Sequence, residues 1–340
     1  MTPAEVEPAL ADMMDAVFAG YRQSHTPTAV AHRDTELWGR LDELGLIRLT
    51  GAEQFGGSGA GWPEAAELLT AAVRHGVRIP LAEHDLLACW LLEAAEVGPD
   101  GAARTLCMLD EHGRASGVPW ASCAERIVIV WQRGGRYLAA DVELESIGID
   151  VGANMIGEPR DAVAADPDHL TGIAIGPDLV AQLRLKSVLV RSIQVCAALD
   201  KALQLSVDHA ASREQFGRPL AKFQAVAHLI SDIAAEAALA RSSTEAALAA
   251  AIASDWSDPH LEFLVAAARS CAGHAASVVV RNAHQVHGAI GTTAEHRLHE
   301  FTRAALAWRS EFGSVQYWDD RVTDMALRAG TGKLWTLISP

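Results

Sequence analysis

The spacing of hydrophobic positions changes period twice along this chain. Up to about residue 106 it is helical. "MTPAEVEPALADMMDAVF" is amphipathic, and "DTELWGRLDELGLIRL" sets Leu37, Leu41, Leu44 and Ile47 three or four residues apart, one stripe of a helix. "GAEQFGGSGAGW" reads as a glycine-rich loop, with Pro63 suited to the first turn of the helix that follows. "PLAEHDLLACWLLEAA" predicts another helix, ending near Gly98 and Pro99. Between about 107 and 180 the period shortens. "RIVIVWQRGGRYLAADV" is an apolar run, a Gly134-Gly135 turn and a second run, which predicts a β-hairpin, and shorter strand-like pieces follow.

From about 181 the helical period returns in Ala-rich sequence. "SVLVRSIQVCAALDKALQLSVDHAASREQFG" predicts one long helix, and Pro219 opens a second. Asp258 and Pro259 form an N-cap and first-turn pair for a third, whose stripe is Leu261, Leu264, Val265, Ala268, Cys271, Ala272, Ala275 and Val278. That helix stops at Gly288, and Thr292 with Glu295 has the spacing of a capping box for a helix over 293–311. The fold class is therefore α+β. The expected domains are an N-terminal helical domain (1–106), a small middle β domain (107–180) and a C-terminal helical bundle (181–340).

Composition narrows the function. Half of the 340 residues are apolar, enough for two or three layers or domains. A net charge of −15 excludes nucleic acid as the main partner, while a few focused cations still allow a phosphorylated small molecule. Five scattered cysteines (Cys89, Cys107, Cys123, Cys196 and Cys271) form no C-x-x-C pair and read as reduced, packed thiols. The N-terminal stretch is acidic rather than basic, and no run reaches the roughly 18–20 apolar residues of a membrane span. A cytoplasmic protein without membrane or nucleic-acid partners is the expectation.

Two segments carry candidate chemistry. In "SREQFGRPLAKFQAV", Arg213 ends one helix and Gln224 belongs to the next. Arg213 is either a solvated corner residue or a planar donor to a phosphate or carboxylate. In "QVHGAIGTTAEH", Gly288 and Gly291 separate two helices. They serve either as plain caps or as a loop that lets backbone N–H groups approach an anion. His296 and His299 have i, i+3 spacing but no H-E-x-x-H motif and no obvious third ligand, so no metal is expected. Arg184, Lys186, Arg191 and Lys201 are a sparse basic set, read as a solvated helix face. Most of the nine tryptophans read as core or interface anchors.

Taken together, the ordered set "RxQFGxPLxxFQxV" and "QxHGxxGxTxEHxLHxxxR", with "LxELGLIxL…FGGxGxGxxE" from Leu41 to Glu64, resembles the acyl-CoA dehydrogenase family. The resemblance runs along nearly the whole chain and is weakest from about 107 to 180. It implies an N-terminal helical domain, a β domain and a C-terminal four-helix bundle. It also implies FAD as cofactor, an acyl-CoA thioester as substrate and an electron-transfer flavoprotein or similar acceptor. The cofactor border then falls on Arg213, Gln215, Phe216 and Gln224, and on Gln285, Val286, His287, Gly288, Ala289 and Gly291. In relatives these segments reach a neighbouring subunit's FAD, which implies a homodimer, homotetramer or heterotetramer.

The implied reaction is α,β-dehydrogenation: a carboxylate takes the α-proton while hydride leaves Cβ for flavin N5. Glu311 in "WRSEFGS" is the candidate base. Counting from Arg303, however, the family glutamate falls on Phe312, and one residue is about 100° on a helix. The two alternative base positions of relatives fall on Ser187 and Gln194, neither a carboxylate. The family's "TEPxxGSD" flavin stretch is replaced by "GVPWASCAERIVIV", where Trp120 or Ser122 are the substitutes on offer. Three readings follow: a complete FAD-dependent dehydrogenase of fatty-acid or steroid catabolism with Glu311 as a displaced base; a base-deficient partner subunit of an α2β2 acyl-CoA dehydrogenase; or a flavin-free binding protein on the same fold.

Overall fold

The computed structural model describes residues 6–338, and the chain forms two units, Met1–Lys186 and Ser187–Pro340. In the first unit, α1 (Pro8–Ser24), α2 (Thr35–Glu43) and α3 (Trp62–His75) are the predicted N-terminal helices. The Asp34 carboxylate accepts the N–H groups of Glu36 and Leu37 and so starts α2. Pro63 lies in the first turn of α3, and Glu64 accepts the Gly61 N–H at 2.9 Å. The next predicted helix is only partly α: Ala82–Cys89 is π-helical and α4 is confined to Trp90–Ala94. Its polar residues explain this, because they are all turned inward. His84 Nδ1 accepts the Arg104 N–H at 3.0 Å, and Asp85 accepts both the backbone N–H and the hydroxyl of Thr50 at 3.0 Å. All eight residues of this segment are buried, Glu83, His84 and Asp85 among them.

The β region contains a four-stranded and a three-stranded sheet. The predicted hairpin is β3 (Arg126–Arg133) and β4 (Arg136–Glu143), closed by Gly134 and Gly135 at φ 58° and 76°. β3 lies between β4 and the parallel strand β1 (Arg104–Met108). Ile127, Ile129 and Trp131 pack with Val118 of β2 (Arg114–Pro119) and Val163 of β6 (Arg160–Ala164). Val128 and Val130 pack on the other face against Leu87, Leu91 and Leu92. Burial on both faces is why "IVIVW" is continuously apolar. The three-stranded sheet is β2-β6-β5, with β5 at Gly148–Asp150, and β7 (Ile173–Ile175) completes the larger one.

α5 (Pro177–Ser212) leads into the helical unit, followed by α6 (Gln224–Ala253), α7 (Leu261–His287), α8 (Leu298–Trp308), α9 (Val315–Ala329) and α10 (Leu334–Ile338). Three expected starts shift. Pro219 does not open α6; it pairs in a short hairpin of β8 (Glu214–Gln215) and β9 (Arg218–Pro219), and α6 begins at Gln224. Asp258 does accept the His260 N–H at 2.7 Å, but the helix proper begins at Leu261. α8 starts at Leu298 rather than 293, because Gly288–Thr292 coils into a 3-10 turn. The Thr292 hydroxyl donates backwards to the Ala289 carbonyl at 2.8 Å, so it caps nothing ahead of it.

The core between α6 and α7 is built from small residues, Ala237, Ala240, Ala247 and Ala251 from one and Ala268, Ala272, Ala275 and Ala276 from the other. Small contact residues let helix axes approach closely. Gly273 does the same for α7 and α9: a Cβ there would stand 2.7 Å from a Val315 methyl carbon. Leu261–Thr292 is long and apolar enough to cross a bilayer, but over half of its apolar 18-residue stretch is buried inside the fold. The five cysteines are free, and six of the nine tryptophans (Trp38, Trp120, Trp131, Trp256, Trp308 and Trp318) are buried, as anchors should be.

Candidate active site

The first candidate segment forms a two-residue hairpin turn. Phe216 (φ 53°) and Gly217 (φ 78°) both take the left-handed backbone that such turns require. The turn holds the Phe216 ring out, 90% exposed, with the Phe223 ring edge-on at 6.1 Å. The Arg218 guanidinium lies 4.1 Å from the centre of the Phe223 ring. Arg213, Gln215 and Gln224 flank the turn and are all exposed. The Arg213 guanidinium makes no ion pair among the described residues. An aromatic ring held out in a strained turn beside unused polar groups is suited to being covered by something else.

The glycine segment caps α7. Gly288 (φ 63°) ends the helix, and a Cβ added to it would meet nothing, so the loop is open on that side. Gly291 is different: a Cβ there would press on His287 Cβ at 2.9 Å and Leu298 Cδ2 at 3.1 Å. Gln285, Gly288 and Ala289 are exposed, while Val286 and His287 are buried. Burial pushes the His287 imidazole down to about 4. The rings of His209 and His296 push the same way, against the Ala283 and Leu205 carbonyls.

Glu311 lies in the tight turn after α8, where Phe312 (φ 56°) and Gly313 (φ 119°) reverse the chain. Its carboxylate is engaged. Arg191 Nε donates to Glu311 Oε2 at 2.6 Å, and Arg191 Nη1 donates to Gln194 Oε1, also at 2.6 Å. Arg191 is 1% exposed and stands 5.4 Å from the centre of the Phe312 ring. A second buried cation supports the same turn: Arg269 Nη2 donates to the carbonyls of Trp308 and Glu311, at 2.6 and 2.9 Å. Burial pushes Arg269 down to about 10, Glu311 opposing the shift and Arg191 adding to it.

The structure thus brings Glu311 together with the face of α5 that carries both alternative base positions. Ser187, Arg191 and Gln194 follow at i, i+4 and i+7, one face of a helix. What occupies this face is a cation. Arg191 and Lys186 are buried, so the expectation of a solvated basic face on α5 fails for these two. Lys186 lies between two indoles, 4.9 Å from Trp62 and 4.4 Å from Trp90. The signal was present in the sequence: Arg191 interrupts "SVLVRSIQVCAAL", too apolar a run to face water. In the β region, Trp120 is buried and its N–H donates to the Pro159 carbonyl, while the Ser122 N–H donates to Asp161.

Comparison with known proteins agrees with this architecture. Residues 188–324 match the acyl-CoA dehydrogenase C-terminal domain. The chain is 29% identical over 286 residues to the acyl-CoA dehydrogenase IpdE2 of Mycobacterium tuberculosis (strain ATCC 25618 / H37Rv), covering 80% of each. It is 26% identical to acyl-CoA dehydrogenase FadE27 of the same organism, covering 95% of this chain and 92% of that one. Among solved structures, the ChsE4-ChsE5 complex of M. tuberculosis superposes with a TM-score of 0.81 at 20% identity, covering 95% and 97% of the two chains. The fold is that of the acyl-CoA dehydrogenases. Residues 188–324 match that family's C-terminal domain, and the chain over most of its length is similar to mycobacterial acyl-CoA dehydrogenases.

Proposed function

We propose that this chain is a subunit of an FAD-dependent acyl-CoA dehydrogenase that supplies cofactor contacts but not the catalytic base, and that it works with a second, base-bearing dehydrogenase chain. The observation that carries this reading is the Arg191–Glu311 pair. A carboxylate in a charge-assisted hydrogen bond is favoured in its charged form. For Glu311 to take an α-proton, the pair must break and leave Arg191 a buried cation without that counter-charge, at a cost of several kcal/mol.

The cofactor border remains well formed. An exposed guanidinium at Arg213, an amide at Gln224, an uncovered ring at Phe216 and an open backbone at Gly288 fit an extended dinucleotide pyrophosphate. When bound, FAD would supply the acceptor for the β-hydride. The chain's own residues would hold its anionic and adenosine parts, Arg213 by charge and fork geometry, and Gln224 by its amide. Gly288, Ala289 and Gly291 would admit the backbone. The base, and the second contact layer over Phe216, would come from the other chain. A chain of the ChsE4-ChsE5 complex has this fold, which supports a heteromeric assembly here. An electron-transfer flavoprotein or a similar acceptor would be the partner for the electrons.

The test uses the chain alone and the chain co-purified with a full-length dehydrogenase chain of its own organism. Each is loaded with FAD and treated anaerobically with a panel of acyl-CoA thioesters, following the visible flavin band. The expected result is no bleaching for this chain alone, bleaching in the two-chain complex, and the same bleaching with Glu311→Gln in that complex. Bleaching by this chain alone that disappears in Glu311→Gln, with FAD still bound and the fold intact, would overturn the proposal and make Glu311 the base.

A further inference from the structure

Three imidazoles from three separate segments converge in the helical unit. His209 lies near the end of α5, His287 is the last residue of α7, and His296 sits in the turn before α8. One ring nitrogen of each lies within 4.8 Å of the other two. Ring centres are 4.5 Å apart for His209 and His287, 4.6 Å for His287 and His296, and 6.0 Å for His209 and His296.

His287 gives the cluster its direction. It is 5% exposed, and its Nδ1–H donates to the Ala283 carbonyl at 2.8 Å. That bond fixes the proton on Nδ1 and the lone pair on Nε2. Nε2 is buried and has no hydrogen-bond partner among the described residues. A buried acceptor left unsatisfied is costly. A backbone carbonyl on the far nitrogen is also the support that orients metal-ligating histidines. The His209 ring makes no hydrogen bond among the described residues, so it can turn its own lone pair to the same point.

We infer that His209, His287 and His296 bind one borderline divalent transition-metal ion, of the Zn²⁺ or Co²⁺ class, with water completing the coordination. Three neutral imidazoles without a carboxylate favour this class over Mg²⁺ or Ca²⁺. Bonds of about 2.1 Å to a tetrahedral ion place ligand nitrogens roughly 3.4 Å apart, so side-chain rotations closing the cluster by about 1 Å complete the site. His296 gives up one contact, because its Nδ1 receives the Leu298 N–H at 3.1 Å and must carry a proton when Nε2 ligates.

The role is structural. His209 stands one turn before Arg213, and His287 directly precedes Gly288. The ion therefore ties the end of α5 to the glycine loop. Binding depends only on the three histidines and not on how the base is assigned.

The test uses the full chain without a histidine tag, stripped with EDTA and titrated with Co²⁺ while the visible d–d bands are recorded, and with Zn²⁺ by calorimetry. The expected result is one equivalent bound by the wild type, and affinity lowered at least about tenfold in His209→Ala and in His296→Ala. His299→Ala, outside the cluster, binds as the wild type does. X-ray absorption of the Zn²⁺-loaded wild type gives three histidine nitrogens at about 2.0 Å, a readout that needs no variant to fold. No stoichiometric binding by the wild type, or binding that survives in the doubly substituted His209→Ala, His296→Ala chain, would overturn the inference.

Discussion

Arg191 and Glu311 lie 120 residues apart in sequence, yet Nε of one stands 2.6 Å from Oε2 of the other. The carboxylate nearest the expected base position is thus the counter-ion of a buried arginine. The turn that carries it is held by a second arginine, Arg269, through two backbone carbonyls. Glu311 therefore has a structural task whatever else it does.

Removing one member of that pair is expected to be worse than removing both. Glu311→Gln should cost about 3 kcal/mol of stability, because it leaves a desolvated guanidinium without its counter-charge. Arg191→Met combined with Glu311→Gln should recover most of that loss. Urea denaturation of the two single variants and the double variant measures the coupling.

The hairpin at Phe216 gives a pair of predictions that separate strain from contact. Gly217→Ala places a side chain on a left-handed backbone with nothing to clash against, so the cost is conformational alone, about 1 kcal/mol. Phe216→Ala removes an exposed ring and should leave the stability of the isolated chain within about 0.5 kcal/mol. The same Phe216→Ala should weaken FAD retention in the two-chain complex, read as the ratio of flavin to protein after gel filtration.

Gly291→Ala should destabilise the loop between α7 and α8 by about 2 kcal/mol, since its Cβ would overlap His287 Cβ and Leu298. Gly288→Ala, next in the chain to the same histidine but facing open space, carries only the backbone cost. Thermal unfolding of the two variants ranks them.

Asp85 sets a pH dependence. Burial pushes its carboxyl up to about 7, against hydrogen bonds from the Thr50 N–H and hydroxyl. A raised folded value means that the folded chain holds a proton the unfolded chain releases above about 4. Stability from this group is complete below that point and is lost as pH rises through 7. Asp85→Asn keeps an oxygen for Thr50 and puts an amide where Oδ1 has no partner. Its stability relative to wild type should therefore rise between pH 4 and 7.5, by on the order of 3 kcal/mol. A difference independent of pH would mean that the aspartate titrates normally.

The order of helices, then strands, then helices was legible in the chain because period is a local property. "LWGRLDEL" can bury one stripe only as a helix, and the Gly134-Gly135 pair can join two apolar runs only as a turn. One start, at Pro63, and one stop, at Gly288, were legible for the same reason. Starts set by competition were not. Pro219 looks like a first-turn proline, but the left-handed Phe216-Gly217 turn pairs it with Glu214 and delays α6 to Gln224. Thr292 looks like a cap, but its hydroxyl finds a nearer carbonyl behind it.

For the candidate site, the sequence by itself determined the resemblance to acyl-CoA dehydrogenases, the two glycine-bearing segments and a single carboxylate beside the expected base position. Only the tertiary structure decided what that carboxylate does. A side chain's protonation and reach depend on the charges brought beside it, and Arg191 and Arg269 come from helices far away in the chain. Periodicity says which face of a helix is buried. It says nothing of which distant charge is waiting there, because that is fixed by packing between elements and not within one.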